Sequence, residues 1–329
     1  MLSPGITFLN RPWLSEHSID RKHNKKRLLL VSYIQKYLAT NKIFKNDFIR
    51  VSFFHLGMSS LVTLIKTKKR KYVLKIILRE HQRRQARFLN AWKNVGVSVP
   101  RIYETGKIMN LPYILMEFVD AETLNKTPKK KLLKMKTFKR MGKILQKIHK
   151  SSSRGYGLPI KENTGKYKKF KNWLLKNPTL KEQFAYVREH KLLPYNVYGS
   201  LDEAIAVLID YVGKNQKSTY CHWDFSPGNI FNTKNLTTFD PATNFNHPYL
   251  DLAKSVVQTF ATLPSFEATD QIIEGYFENN KLLFDPKVLQ AGVLLTCHMK
   301  FLYWHKTKAK NRINNLKKYL LANKAYLKT

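Results

Sequence analysis

Cysteine is nearly missing from this chain: Cys221 and Cys297 are the only two in 329 residues, too few for a disulfide framework or a zinc site. A reducing cytoplasm is the expected home. No run of about eighteen apolar residues occurs, so no plain membrane-spanning helix is expected. The longest candidate, Val288 to Trp304, is interrupted by Gln290, His298 and Lys300 and reads as a buried or amphipathic helix. The opening MLSPGITFLNRPWL lacks the basic start and continuous apolar core of a secretory leader, and none is expected. Acidic residues are also scarce, 22 against 59 Lys and Arg, for a formal net charge of +37. Basic runs recur at Lys22–Arg27, Lys66–Lys71, Lys129–Arg140, Lys166–Lys171 and Lys306–Lys318. Such a field would attract nucleic acid, anionic lipid headgroups or phosphorylated substrates. No run is interleaved with stacking aromatics and no nucleic-acid motif occurs, so solvated lysines from a compositional bias explain the charge equally well.

What is present is ordinary for a globular protein: 43% apolar and 25% charged residues, with length enough for two domains or lobes. Charges and apolar residues at helical spacing predict one or two helices over residues 12–41. Strand signals follow at Ile49–Phe54, Leu61–Thr67 and Tyr72–Leu78, then an amphipathic helix from Glu80 to Val95 closed by Gly96, then strands at Arg101–Lys107 and Tyr113–Val119. Beyond Asp120 the pattern turns helical, at Lys131–Lys150, Leu201–Val212, Leu250–Ala261, Glu267–Asn279 and Pro286–Ala322. Residues Ser151 to Tyr195 read as a loop-rich, lysine-rich insertion. The expected organisation is a helical extension over 1–45, a sheet lobe over 46–119 and a helical lobe over 120–329.

The most informative segment runs from Tyr220 to Ala242 and begins Tyr-Cys-His-Trp-Asp-Phe-Ser-Pro-Gly-Asn. His222, Asp224 and Asn229 have the spacing of a phosphoryl-transfer catalytic loop. That chemistry needs a carboxylate within reach of the acceptor hydroxyl, and oxygen ligands that hold magnesium against phosphates. Ile230 to Phe239 reads as two short strands around a Lys234–Asn235 turn, a pairing that would set Asn229 opposite Asp240. The bland reading has His222 and Asp224 capping a turn and Asp240 ending a strand; the joint spacing argues against it.

HWDFSPGNIF followed by FDPATNFNHPYLDLAKS resembles the aminoglycoside phosphotransferase and choline kinase superfamily. The resemblance implies an α+β, protein-kinase-like two-lobed fold: a small antiparallel five-stranded sheet lobe with one helix, and a larger, mainly helical lobe. It implies Asp224 as catalytic base, Asn229 and Asp240 as ligands of Mg2+, and ATP or GTP as co-substrate. His222 would support the loop, and Asp251 would brace it through hydrogen bonds. In the sheet lobe, Gly57, Ser59 and Ser60 would cover the triphosphate, while Met116 and the backbone of Glu117 to Val119 would meet the base. Lys75 sits within the apolar strand Tyr-Val-Leu-Lys-Ile-Ile-Leu, where a buried ammonium is costly unless an anion meets it. Nucleotide phosphate is the candidate, against an edge strand with Lys75 facing solvent. The family's glutamate partner for that lysine falls at Gln85, with Glu80 the only acidic residue nearby.

Only about ten residues separate Asp240 from the helix expected near Leu250, too few for the peptide platform of protein kinases. A small-molecule hydroxyl is therefore the expected acceptor. Residues Lys287 to Thr329 contain no Asp or Glu, which argues against a cationic antibiotic and for a neutral or anionic acceptor. One rival is a glycolipid kinase, acting for example on a lipopolysaccharide sugar and docking on an anionic membrane surface. A second is an inactive, basic protein that binds nucleic acid.

Overall fold

A computed structural model describes residues 5–16, 18–45, 47–55, 60–79, 84–193, 195–279 and 281–322. Gly57, Ser59 and Glu80 lie outside the described residues. The chain forms two compact units, residues 1–86 with 100–120, and residues 87–99 with 121–329.

The first unit contains β1 (Ile6–Phe8), α1 (Ser18–Arg21), α2 (Asn24–Thr40), β2 (Ile49–Phe53), β3 (Ser60–Lys66), β4 (Lys71–Ile77), β5 (Ile102–Ile108) and β6 (Leu111–Glu117). They make one sheet in the order β1-β2-β3-β4-β6-β5. The sheet therefore has six strands rather than the expected five. The extra one, β1, comes from the segment expected to be a helical extension and runs parallel to β2, pairing Ile6 with Ile49. Strand alternation separates two faces. Leu74 and Ile76 of β4 and Leu61 and Ile65 of β3 point to one side, where Leu30, Ile34 and Leu38 of α2 complete the main core. That spacing of four residues lays one helix face on the sheet. On the other side lie Ile77, Ile114 and Met116, joined by Val73 and Ala86. Met109 and Asn110, both with positive φ, close β5 onto β6 in a tight two-residue turn.

The second unit begins within α3 (Gln85–Asn94) and continues through α4 (Lys129–Lys134), α5 (Thr137–Ile148), β7 (Tyr156–Pro159), β8 (Gly165–Tyr167), α6 (Phe170–Lys176), α7 (Pro178–Glu189), α8 (Tyr195–Lys214), β9 (Thr219–Cys221), β10 (Ile230–Phe231), β11 (Thr237–Thr238), β12 (Asn244–Asn246), α9 (Pro248–Thr262), α10 (Phe266–Phe277), α11 (Pro286–Lys306) and α12 (Lys310–Ala322). Most of α3 belongs here, because Phe88 stacks on Phe245 at 5.3 Å and the Trp92 indole donates to the Tyr220 carbonyl at 3.2 Å. The insertion expected to be loop-rich instead supplies β7, β8, α6 and α7, and β7 joins β12 and β9 in a second sheet, ordered β8-β7-β12-β9.

Two expected helices are each broken in two, at Lys136 and at Lys308. Both residues adopt positive φ, a conformation that ends helices and normally favours glycine. At the second break the amides of Lys308 and Ala309 bond back to His305 and Trp304, so the last carbonyls of α11 are satisfied and α12 turns away. Helix starts are more conventional. Asn177, Ser265 and Asp285 accept hydrogen bonds from first-turn amides of α7, α10 and α11, as capping residues do. Fourteen of the fifteen residues of α9 are buried, which makes it the axis of the unit.

Candidate active site

The loop after β9 is held from beneath by one carboxylate. Asp251, fully buried in the first turn of α9, accepts from the amides of His222 and Trp223, both at 2.7 Å. His149 adds a third contact at 3.1 Å and is itself held by the Tyr276 hydroxyl at 2.7 Å. Burial raises the carboxyl pKa of Asp251, but these donors and the nearby imidazoles outweigh it, and the net direction is downward. Charge-assisted bonds of this kind are the strong ones. They fix Trp223 in a left-handed conformation with φ of 60°, which is uncommon for a bulky residue and points to a constrained site.

His222 supports the loop from the other side. Its ring stacks on Trp92 at 5.1 Å, its Nε2–H donates to the Phe239 carbonyl at 3.0 Å, and its own carbonyl accepts from Ala242. Burial lowers its pKa against the pull of Asp251, Asp224 and Asp240, so the imidazole is neutral.

Asp224 thus stands at the head of a braced turn. Its side chain is 40% exposed, so it remains accessible. The Asn229 amide donates to the Asp224 carbonyl at 2.8 Å and to Oδ2 at 2.9 Å, which leaves Asn229 Oδ1 free of that pairing. In the hairpin, Ile230 pairs with Thr238 and the Phe239 amide bonds to the Asn229 carbonyl at 3.1 Å. Asn229 therefore faces Phe239, one residue short of the expected pairing with Asp240. Asp240 follows with φ of 55°, so the chain turns sharply as the hairpin ends. An amide oxygen and a carboxylate are hard donors of the type that suits Mg2+. His222 feels both Asp224 and Asp240, so the two carboxylates share one end of the unit.

The model of the phosphotransferase enzyme family matches residues 50–276. The chain belongs to this family. Its fold is also that of solved members: aminoglycoside phosphotransferase APH(4)-Ia, at 15% identity and TM-score 0.60 over 89% of this chain and 99% of that one, and an ethanolamine kinase from Plasmodium vivax, at 17% identity and TM-score 0.58 over 91% and 88%. A thermostable APH(4)-Ia mutant, solved with ADP and hygromycin B, has 14% identity and TM-score 0.58 over 84% and 95%. No curated protein matches this sequence. The chain is accordingly a phosphotransferase, as the motif led one to expect.

The phosphotransferase loop has neighbours that the motif did not reveal. Gln258 of α9 donates to Asp224 Oδ1 through a short hydrogen bond, and Lys300 of α11 reaches the same oxygen at 3.3 Å. Lys254, only 6% exposed, holds its ammonium 4.0 Å over the Trp223 ring. Burial raises the Asp224 pKa, but Lys300, Lys254, His222 and Gln258 together outweigh it and bring the carboxyl down to about 2. Lys254 moves the other way: burial and the repulsion of Lys300 depress its pKa well below the ordinary value. A signal for these residues was present in the sequence. Asp251, Lys254 and Gln258 recur at steps of three and four along an apolar helix, and Lys300 interrupts another apolar run.

His149, Cys221 and Asp251 bring one donor atom each within 4.8 Å of one another. They form a brace rather than a metal cage, since two backbone amides and His149 already use Asp251, and burial keeps the Cys221 thiol protonated.

In the sheet unit, β4 lies between β3 and β6 and Lys75 is 4% exposed, which removes the edge-strand alternative. Lys75 lies opposite Val62 and Ile114, on the strand side that carries Ile77 and Met116. Ser60 is buried opposite Ile77. Gln85 is buried at the start of α3. Glu117 is exposed and accepts the Arg101 amide at 3.1 Å, while its own amide bonds to the Arg101 carbonyl. Val119 is half-buried.

Proposed function

We propose that this chain transfers the γ-phosphoryl group of ATP or GTP to a hydroxyl of a small acceptor, a sugar, amino alcohol or related metabolite, with Asp224 as the base. The observation that carries the reading is the Asp224–Asn229 pair on a loop held by Asp251 from α9. The carboxylate is partly exposed and ionised, and its orientation is imposed by Asn229, Gln258 and Lys300. It would accept the acceptor's proton as that oxygen attacks the γ-phosphorus and the bond to the β-phosphate breaks.

Asn229, through its amide oxygen, and Asp240 would hold Mg2+. The ion would neutralise charge on the phosphates when bound. The role of this chain is positioning: Asn229 ties base and ligand into one rigid turn, and His222 couples the loop to the residue before Asp240. Lys75 would meet nucleotide phosphate, beside an apolar surface of Ile77, Ile114 and Met116 fit for a base. Ser60 is assigned to the phosphates, and Glu117 and Val119 to the base, on the resemblance alone. The ADP complex of an APH(4)-Ia mutant supports a nucleotide co-substrate. The run Pro241 to His247 leads through β12 directly into α9, which supports a small acceptor rather than a peptide.

Melting with and without nucleotide tests the reading. A magnesium-dependent rise of the melting temperature with ATP or GTP, lost in Asp240→Ala, is expected. An unchanged melting temperature at saturating nucleotide would sink it.

A further inference from the structure

The environment of Asp224 restricts which acceptor can be used. Its Oδ2 is occupied by Asn229, and its Oδ1 faces Gln258 and Lys300. Lys300 Nζ lies 3.3 Å from Oδ1, so the substituents beside a hydroxyl that gives its proton to Asp224 come within reach of Lys300. A second lysine, Lys254, stands four residues before Gln258 on the same face of α9. Lys254 lies against the Trp223 ring, and Asp224 and Asp251 are the carboxylates that act on it. Two amines thus stand beside the carboxylate that the reaction itself requires. Gln258 Oε1, buried and without a hydrogen-bond partner, offers an acceptor for a further hydroxyl.

We infer that the acceptor is a polyhydroxylated small molecule bearing an anionic group, phosphate or carboxylate, close to the hydroxyl that is phosphorylated, with Lys300 contacting that group and Lys254 supporting it. The inference rests on the phosphotransferase reading and names its substrate class. A cationic acceptor would meet repulsion at Lys300 and Lys254. An anion would pair with Lys300 and add counter-charge beside Lys254, where burial and the repulsion of Lys300 disfavour the charged amine.

The test uses the whole chain and four acceptors of one ring size: a hexose, its 6-phosphate, the hexuronic acid and the amino sugar. Acceptor-dependent ADP release gives kcat/KM for each, and the same samples report the magnesium-nucleotide melting shift. A preference of at least about tenfold for the phosphate or the acid over the neutral hexose is expected, the scale of one charge-assisted contact, with the amino sugar poorest. The phosphate and acid arms identify which anion is read. In Lys300→Met the preference should collapse, mainly through KM, and in Lys300→Arg it should persist. Melting shifts by the four compounds without nucleotide, in parent and Lys300→Met, give the same ranking independently of turnover. Equal or better use of the neutral or amino sugar overturns the inference, as does the absence of any anion preference in both readouts. A kcat loss in Lys300→Met that is the same for every acceptor also overturns it, because Lys300 would then serve the phosphoryl group in transfer. Loss of the magnesium-nucleotide shift would instead remove the kinase reading, while the nucleotide-free ranking would still decide the anion preference.

Discussion

The loop from Cys221 to Asp240 and the helical wall that carries Lys254, Gln258 and Lys300 meet at Asp224, yet they are built differently. In the loop, the functional side chains lie within some twenty residues of each other, and short-range bonds such as Asn229 to Asp224 set their geometry. In the wall, the groups come from α9 and α11, and Lys300 is 76 residues away from the carboxylate it contacts. In the proposed function the loop carries the reaction and the wall selects who takes part in it. A reaction type can therefore be read from a motif even where the substrate cannot.

The strongest way to break this comparison is Asp224→Asn. Turnover should fall by roughly 10²–10⁴-fold, by a similar factor for every acceptor, while the nucleotide melting shift persists. A loss confined to one acceptor class in steady-state kinetics would move Asp224 from the reaction to selectivity.

Two buried histidines outside the loop carry a pH dependence of their own. His247, which accepts the Tyr249 amide at the start of α9, and His298 of α11 are buried, and burial lowers their pKa values to about 3 and about 4. Both are neutral in the folded chain and take up protons more readily when unfolded. Their contribution is thus complete above about pH 6.5 and is lost as pH falls toward 4. Between pH 7 and pH 5 the two together should cost about 4 kcal/mol, to be read from urea midpoints. His247→Gln should flatten that slope.

Asp251 joins loop and wall. Asp251→Ala leaves two amides and His149 without their acceptor and should cost about 3 kcal/mol, with a fall in kcat as Trp223 leaves its strained conformation. Retained stability together with retained turnover would show that the loop holds its own shape. The smallest effect expected is at a packing position remote from the site. A methyl group on Gly275 would overlap the backbone of Lys139, and one on Gly142 the backbone of Ile272, so α5 and α10 approach closely only because both are glycine. Gly275→Ala should cost about 2 kcal/mol and leave acceptor preference unchanged, as a comparison of melting temperature with kinetics would show.

Legibility followed range. The hairpin after Asn229 and the strands β2 to β6 were readable because alternation and turn chemistry act over a few residues. The pairing of Asn229 was misplaced by one, because the sharp turn at Asp240 is a non-glycine in a left-handed conformation and carries no sequence mark. The breaks at Lys136 and Lys308 escaped for the same reason. β1 was missed because three residues carry almost no periodic signal, and their strand exists only through pairing with β2. Lys75 was open to an edge-strand reading until its place between β3 and β6 settled the matter.

By itself, the sequence determined the identity and order of the groups proposed for the chemistry: Asp224, Asn229 and Asp240 lie close enough along the chain for local backbone geometry to gather them. Only the tertiary structure decided what surrounds them. Burial and the crossing of α9 with α11 bring Lys254, Gln258 and Lys300 to one carboxylate, and electrostatic interactions depend on distance in space, not on separation along the chain.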